Sequence, residues 1–255
     1  MQLSLEGRRA LITGGSRGLG LAMARAFAAA GARVAMVARQ EGPLAEAARS
    51  IPGSVPVTAD IATAEGCEQA YRGAESALGG VDILVNNAGT SRRGPLMSLS
   101  DADWQQDLDL KLFAAIRLAR LVWPGMAGRR FGRIINVLNI GAKAPPPTGA
   151  PTAVSRAAGM ALTKIMAGEG APLGINVNAL LVGKIDSDQW VRRHAADPGG
   201  QTYEEWMEEA GQAIPMKRMG RAEEFAAMAL ALASQPGDYV TGTAINVDGG
   251  MSPVV

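Results

Sequence analysis

Leu11-Ile12-Thr13-Gly14-Gly15-Ser16-Arg17-Gly18-Leu19-Gly20 is the stretch whose reading decides the fold. A short apolar run ends in a glycine pair. From Leu19 onward, Ala22, Met23, Ala26, Phe27 and Ala30 recur at helical spacing, and Gly31 follows. The first part predicts a buried strand, the last a helix closed at Gly31, and the glycines the turn between them. The strand pattern then recurs along the chain. Val34-Ala35-Met36-Val37, Val55-Pro56-Val57, Ile83-Leu84-Val85, Ile134-Ile135-Asn136-Val137, residues 175–180 and Ala244-Ile245-Asn246-Val247 are apolar runs separated by helical patterns.

Strands that are apolar throughout need cover on both faces, which predicts a parallel sheet between layers of helices. With right-handed crossovers the expected architecture is α/β, a Rossmann-type doubly wound seven-stranded parallel sheet in a three-layer αβα sandwich. No linker or composition break divides the chain, so residues 1–255 read as a single domain. Residues 143–151, with four prolines, must form a loop. Residues 186–216 are polar, include Asp197-Pro198-Gly199-Gly200 and hold Trp190 and Trp206. They read as an inserted helical lid over a cleft or, equally, as a plain surface excursion.

Composition removes several classes. The chain carries one His, one Cys and three Tyr among 255 residues. A single His (His194) and a single Cys (Cys67) build neither a Cys/His metal site nor a disulfide framework, so no metal is expected. No G-x-S-x-G elbow accompanies His194, which argues against a serine triad. Net charge is +1, which gives no field for nucleic acid or a membrane surface. The charge-free stretch 170–183 spans 14 residues, against the roughly 20 a bilayer crossing needs. The N-terminus lacks a basic-then-apolar signal pattern, so a soluble, cytoplasmic protein in a reducing compartment is expected.

The glycine loop points to a nucleotide. Gly14, Gly18 and Gly20 allow a tight turn and let backbone approach a phosphate with no Cβ in the way. The helix that follows offers unpaired N–H groups and a positive dipole end to a pyrophosphate. The strand-before, helix-after setting makes the motif specific. At the tip of the second strand, a carboxylate would bind a ribose 2′-hydroxyl, as NAD requires. Ala38 and Arg39 stand there instead, with Arg17 in the loop, so NADP(H) is favoured over NAD(H). Arg39 also has the plainer reading of a solvated surface charge.

Together these residues resemble the short-chain dehydrogenase/reductase family. The loop is similar to its T-G-x-x-x-G-x-G pattern, and Asn86-Asn87-Ala88-Gly89 to its N-N-A-G motif after the fourth strand. Asp60 resembles the acidic residue after the third strand, and residues 132–137 the fifth strand. Asn178-Ala179 with Gly183 resembles N-A-x-x-P-G, with Val182 in the proline place. Thr241-Gly242 and Val247-Asp248-Gly249-Gly250 resemble the C-terminal signature. The resemblance implies a cofactor site built from Gly14, Ser16, Arg17, Gly18, Leu19, Gly20, Arg39, Asp60, Ile61, Asn87, Ala88, Gly89, Arg156, Gly183 and Ile185.

The family's chemistry uses an Asn, a Ser and a Tyr-x-x-x-Lys pair, the Tyr moving the proton and the Lys lowering its pKa. At these places the chain has Lys111, Asn139, Thr152 and Arg156. Ser155-Arg156-Ala157-Ala158 resembles the S-K-A-A run, which fixes Arg156 and, four residues earlier on the same helix face, Thr152. Threonine is a far weaker acid than tyrosine, and arginine stays protonated near neutrality. Arg156 retains the binding half of the role, toward ribose or a substrate anion, and Asn139 retains hydrogen bonding to a substrate oxygen. Lys111 lies on an apolar helical stripe. Either it points inward, with a lowered pKa suited to acid–base work, or its stem packs while its head reaches water. Lys143 and Lys184, on loops that border the substrate in this family, could join Lys111 and Arg156 in a cationic pocket. His194 reads as a packing or surface residue.

Three functions are consistent with this pattern. The first is a reductase of a small carbonyl or imine substrate, or of an anionic one, with a non-standard proton source. The second is a repurposed cyclase, isomerase or lyase that keeps the nucleotide as a structural element. The third is a non-catalytic partner of an active sister chain. Haloalcohol dehalogenases form a contrast, because they keep Ser and Tyr and lose the nucleotide loop, so halide displacement is not expected. Members of the family associate through the helix bearing Thr152 and Arg156, so a homo-oligomer, dimer or tetramer, is implied.

Overall fold

The computed structural model describes residues 3–196 and 199–255, apart from the side chains of Asp188 and Gln189. Met1, Gln2, Asp197 and Pro198, which belong to the N-terminal and lid readings, lie outside the described residues. The elements alternate as expected. They are β1 (Arg9–Thr13), α1 (Gly18–Ala29), β2 (Arg33–Ala38), α2 (Glu41–Arg49), β3 (Val55–Thr58), α3 (Ala64–Leu78) and β4 (Ile83–Asn86). Then come α4 (Asp101–Leu108), α5 (Ala114–Arg129), β5 (Gly132–Asn139), α6 (Thr152–Gly170) and β6 (Ile175–Val182). The chain ends with α7 (Asp188–Ala196), α8 (Tyr203–Gln212), α9 (Ala222–Ala233) and β7 (Ala244–Val247).

The seven strands form one sheet in the order β3-β2-β1-β4-β5-β6-β7, every pair parallel. The strand order reverses between β1 and β4, and that reversal opens a crevice at the strands' C-terminal ends. Strand alternation divides the core between the two faces. Ala10, Ile12, Met36, Ile83 and Val85 pack on one side with the fully buried Phe27 of α1 and Phe225 of α9. Leu11, Ala35, Val37, Leu84 and Ile134 pack on the other with Cys67 of α3 and Leu118 of α5. Burial pushes the Cys67 thiol up to about 11, which makes it an inert core residue.

Two local features position the site. Between α4 and α5, residues Asp109–Phe113 form a π-helical turn, so the two helices run on as one with a widened bulge at Lys111. The bulge turns the Lys111 side chain fully inward, with no exposure. Residues 186–216 carry α7 and α8, and α8 starts at a capping box between Thr202 and Glu205. Trp190, His194, Tyr203 and Trp206 form one aromatic cluster between these helices, with ring centroids 5.5–6.5 Å apart. His194 Nε2 also lies 2.9 Å from the Gln201 carbonyl oxygen, so this His packs the excursion together.

Candidate active site

The crevice between β1 and β4 is closed at its floor by a tight backbone weave. Thr13 Oγ1 accepts hydrogen bonds from the amides of Asn87 at 2.9 Å and Ala88 at 3.0 Å, and donates to the Val85 carbonyl at 3.2 Å. Asn87 Nδ2 returns a 2.8 Å bond to the Thr13 carbonyl. The glycines are demanded by this closeness. Gly14 has φ +67°, and a Cβ there would lie 2.9 Å from Asn87 Nδ2; a Cβ on Gly20 would lie 2.1 Å from the Gly14 oxygen. α1 begins at Gly18 with no side-chain cap and no acidic residue in its first turn. That leaves a positive, uncapped helix end facing the crevice, the arrangement an oxyanion needs.

A cleft of about 650 Å³ opens here. Gly14, Ser16, Arg17, Gly18, Leu19 and Gly20 line it from the loop. Arg39, Asp60 and Ile61 line it from the ends of β2 and β3, and Asn87, Ala88 and Gly89 from the end of β4. Asn139, Thr152 and Arg156 line the far wall. Two expected residues are not brought to it. Gly183 instead lets β6 approach β7, its amide bonding the Val247 carbonyl at 3.1 Å, and a Cβ would come within 2.5 Å of Asp248 Cβ. Ile185 is buried in the core and bridges Gly220. Val182 and Ser187 line the cleft in their place.

Lys111 lies behind the cleft wall, not on it. Its ammonium pairs with the Asp107 carboxylate, which is 2% exposed, and donates a 2.7 Å hydrogen bond to Thr152 Oγ1. This excludes the reading in which the Lys111 head reaches water. Ser155 Oγ donates to the other Asp107 oxygen at 2.6 Å. Thr152 Oγ1 also receives the Arg92 amide at 3.0 Å and lies within donating distance of the Arg92 carbonyl at 2.7 Å. Burial, then the like charge of Arg156, lowers the Lys111 pKa to about 8 against the opposing pull of Asp107. Arg156 donates to the Val137 carbonyl at 2.7 Å, and desolvation lowers its pKa to about 10, so it remains a cation. A Cβ on Gly89 would lie 2.5 Å from Arg156 Nη2, so a side chain at residue 89 would require the end of the Arg156 side chain to shift. Asn139 Oδ1 is buried with no partner among the described residues, an acceptor on the cleft wall that awaits a donor.

The cationic pocket is built from other residues than expected. Lys143 Nζ is held by the Ala244 carbonyl at 2.7 Å and Lys184 Nζ by the Ala210 carbonyl at 3.2 Å, and neither lines the cleft. The cations on the walls are Arg17, Arg39, Arg156, Arg192 and Arg193. Asp107, Ser155, Arg192 and Arg193 escaped the sequence reading. Asp107 was signalled by its i,i+4 spacing to Lys111; the α7 arginines carried no signal. Among the described residues no three His, Cys, Asp or Glu side chains cluster to hold a metal, and no helix is long and apolar enough to cross a membrane.

A family model described as enoyl-(acyl carrier protein) reductase matches residues 14–252. The chain belongs to the short-chain dehydrogenase/reductase family. Within that family it is 32% identical over 243 residues to acetoacetyl-CoA reductase of Shinella zoogloeoides, covering 95% of this chain and 98% of the relative. It is 33% identical over 251 residues to 3-oxoacyl-[acyl-carrier-protein] reductase of Vibrio cholerae, covering 98% and 99%. Among solved structures, L-sorbose reductase of Gluconobacter frateurii complexed with NADPH and L-sorbose superposes with a TM-score of 0.95 at 37% identity, over 100% of both chains.

Proposed function

We propose that the chain is an NADP(H)-dependent reductase of a carbonyl or imine substrate, and that its proton comes from Lys111 by way of Thr152. The observation that carries this reading is the 2.7 Å bond from Lys111 Nζ to Thr152 Oγ1. Thr152 stands on the cleft wall, whereas Lys111 is sealed behind it, so the hydroxyl is the link between the acid and the substrate. The quoted relatives are reductases by name, and one was solved with NADPH.

The glycine loop and the uncapped start of α1 suit the pyrophosphate, Arg17 and Arg39 a 2′-phosphate, Asp60 and Ile61 the adenine end, and Arg156 the ribose. When bound, the nucleotide supplies a hydride. The protein does the rest. Asn139 Oδ1 accepts a hydrogen bond inside the cleft, and Arg156 supplies positive charge where the substrate oxygen becomes negative. That oxygen is a stronger acceptor than the Arg92 carbonyl, so the Thr152 hydroxyl turns to it and gives up its proton. Lys111 replaces the proton from its ammonium, leaving a neutral amine beside Asp107. An iminium substrate needs no such transfer. Residues 186–216 act as a lid over the cleft, and the exposed Val154 and Ile165 of α6 support a homo-oligomer through that helix.

A second reading is a non-redox enzyme in which the nucleotide is structural. The four neighbours of Thr152 Oγ1 (Arg92 N, Arg92 O, Lys111 Nζ and Asp107 Oδ1) favour it, because they satisfy the hydroxyl without a substrate. The test is NADPH consumption with a panel of ketones, keto acids and imines. Substrate-dependent oxidation of NADPH that Lys111→Met suppresses for ketones supports the reductase. Product formed equally with NADPH and NADP+ removes it.

A further inference from the structure

The chain has a net charge of only +1, yet the end of the sheet opposite the cleft is strongly basic. Strand register puts Arg9 of β1 directly beside Arg33 of β2, with Arg8 just before β1. Further along the same edge Arg133 of β5 stands beside Ile83 of β4, and Arg129 and Arg130 lie where α5 ends. These guanidinium groups meet two carboxylates among the described residues. Asp82 takes Arg9 at 2.7 Å and Arg129 at 2.9 Å, and Asp238 takes Arg133 at 2.5 Å. Arg33 and Arg130 donate to backbone carbonyls, and Arg8 stacks on Phe131 at 3.6 Å from its centroid, with Arg133 at 4.4 Å from the same ring. Tyr239, next to Asp238, is fully exposed. Arginine and aromatic side chains together are the usual anchors of a protein interface.

The lid, at the cleft end, carries the opposite charge. On α8 the residues Glu204, Glu205, Glu208 and Glu209 are all exposed, and the helix holds no basic residue. Their spacing places them on one side of the helix, away from Trp206, which packs on Trp190 at 5.7 Å. Glu205 caps the helix at Thr202 and Glu209 accepts from Gln201 at 2.7 Å, but none of the four pairs with a cation among the described residues. The dimensions agree as well. α8 has ten residues and is about 15 Å long. The row from β2 to β5 crosses β1 and β4, three strand spacings or about 14 Å. Within one chain the two surfaces stand at opposite ends of the sheet and cannot meet.

We propose that the arginine edge is a docking surface for α8 of a second copy of this chain, so that copies associate head to tail. Exposed charge pairs contribute little each, so Tyr239 and Phe131 supply the apolar contact while the charges set orientation and make the association salt-sensitive. The contact uses a different surface on each copy and does not close on itself, so it builds open chains and not an oligomer of fixed size. It leaves α6 uncovered, and it is independent of the reductase reading.

Sedimentation velocity of the full-length protein over a wide concentration range tests it. At low salt the average mass is expected to rise with concentration. At about 1 M salt, where charges are screened beyond about 3 Å, that rise should vanish. Arg8→Glu with Arg130→Glu alters the edge, and Glu204→Lys with Glu208→Lys alters the helix; each pair should weaken association by at least about tenfold. Tyr239→Ser, at a fully exposed side chain that the fold does not use, should weaken it as well. Mixing the two charge-reversed proteins should restore growth that neither shows alone, because the altered edge of one now suits the altered helix of the other. A mass that does not change with concentration or salt overturns the proposal, as does growth that the variants leave unchanged or a mixture no larger than its components. Protein of fixed mass that binds a hexaglutamate peptide through Arg8 and Arg130 also overturns it, and gives the edge to a different acidic partner.

Discussion

Lys111 and Thr152, on different helices, are joined by a 2.7 Å hydrogen bond that runs from a fully buried ammonium to a hydroxyl on the wall of the cleft. The bond ties the π-helical turn before α5 to the first residue of α6. It converts a buried charge into a group that can act on the cleft without entering it. Removing the hydroxyl tests the link. Thr152→Val keeps the shape but leaves Lys111 Nζ and the Arg92 amide without this partner, so a loss of about 1–3 kcal/mol in stability is expected in denaturant unfolding. In steady-state assays kcat for ketone reduction should fall by about 10²-fold or more, with imine reduction far less affected.

Asp107 decides whether Lys111 can stay charged. Its carboxylate pairs with the ammonium and accepts from Ser155 at 2.6 Å. In Asp107→Asn the buried ammonium loses its counter-charge, which should cost about 3–5 kcal/mol. Because Asp107 is what raises the Lys111 pKa, the variant should also move the lysine's titration below about 8. Chemical denaturation at several pH values checks both. In the wild type the folded lysine releases its proton at a lower pH than the unfolded one, so this group's contribution to stability rises with pH between about 8 and the ordinary lysine value of 10.5.

The glycine at position 20 is a steric requirement of the nucleotide loop. A Cβ there would meet the Gly14 carbonyl oxygen at 2.1 Å, a backbone atom that cannot swing aside. Gly20→Ala should therefore weaken NADP(H) binding by at least about tenfold, with part of the strain appearing as about 1–3 kcal/mol of lost stability. Gly89→Ala should do less, since its nearest neighbour is the end of the Arg156 side chain. Fluorescence titration with NADPH ranks the two.

Arg39 is exposed at the tip of β2, beside Ala38 and on the cleft wall. If it recognises the 2′-phosphate, Arg39→Asp should lower the affinity for NADPH by about ten- to a hundredfold while improving that for NADH. Paired titrations with the two nucleotides measure the switch. Equal loss for both would assign Arg39 a role unrelated to the phosphate.

The sheet was legible because each strand is a short apolar run closed by a turn signal, and the glycine loop because its residues serve a backbone need that no other side chain meets. Lys111, Asn139, Thr152 and Arg156 were located by the resemblance to the family's motifs and the spacing within them, and three of them lie on the cleft wall. What spacing could not convey is depth. Lys111 sits behind the wall because a π turn rotates it there, and a 3.6-residue pattern does not encode that rotation. Lys143 and Lys184 looked available, yet each is taken by a carbonyl from a distant element, Ala244 and Ala210.

The pH dependence of kcat/KM for ketone reduction at saturating NADPH tests the proton source most directly, in the wild type and in Lys111→Met. With Lys111 as the acid, the wild-type rate is level at lower pH and falls about tenfold per unit above pH 8, as the ammonium is lost. Lys111→Met should lose about 10²-fold in rate together with that limb. A wild-type profile that stays level through pH 8 and above, or a methionine variant that keeps both the rate and the limb, would contradict the account.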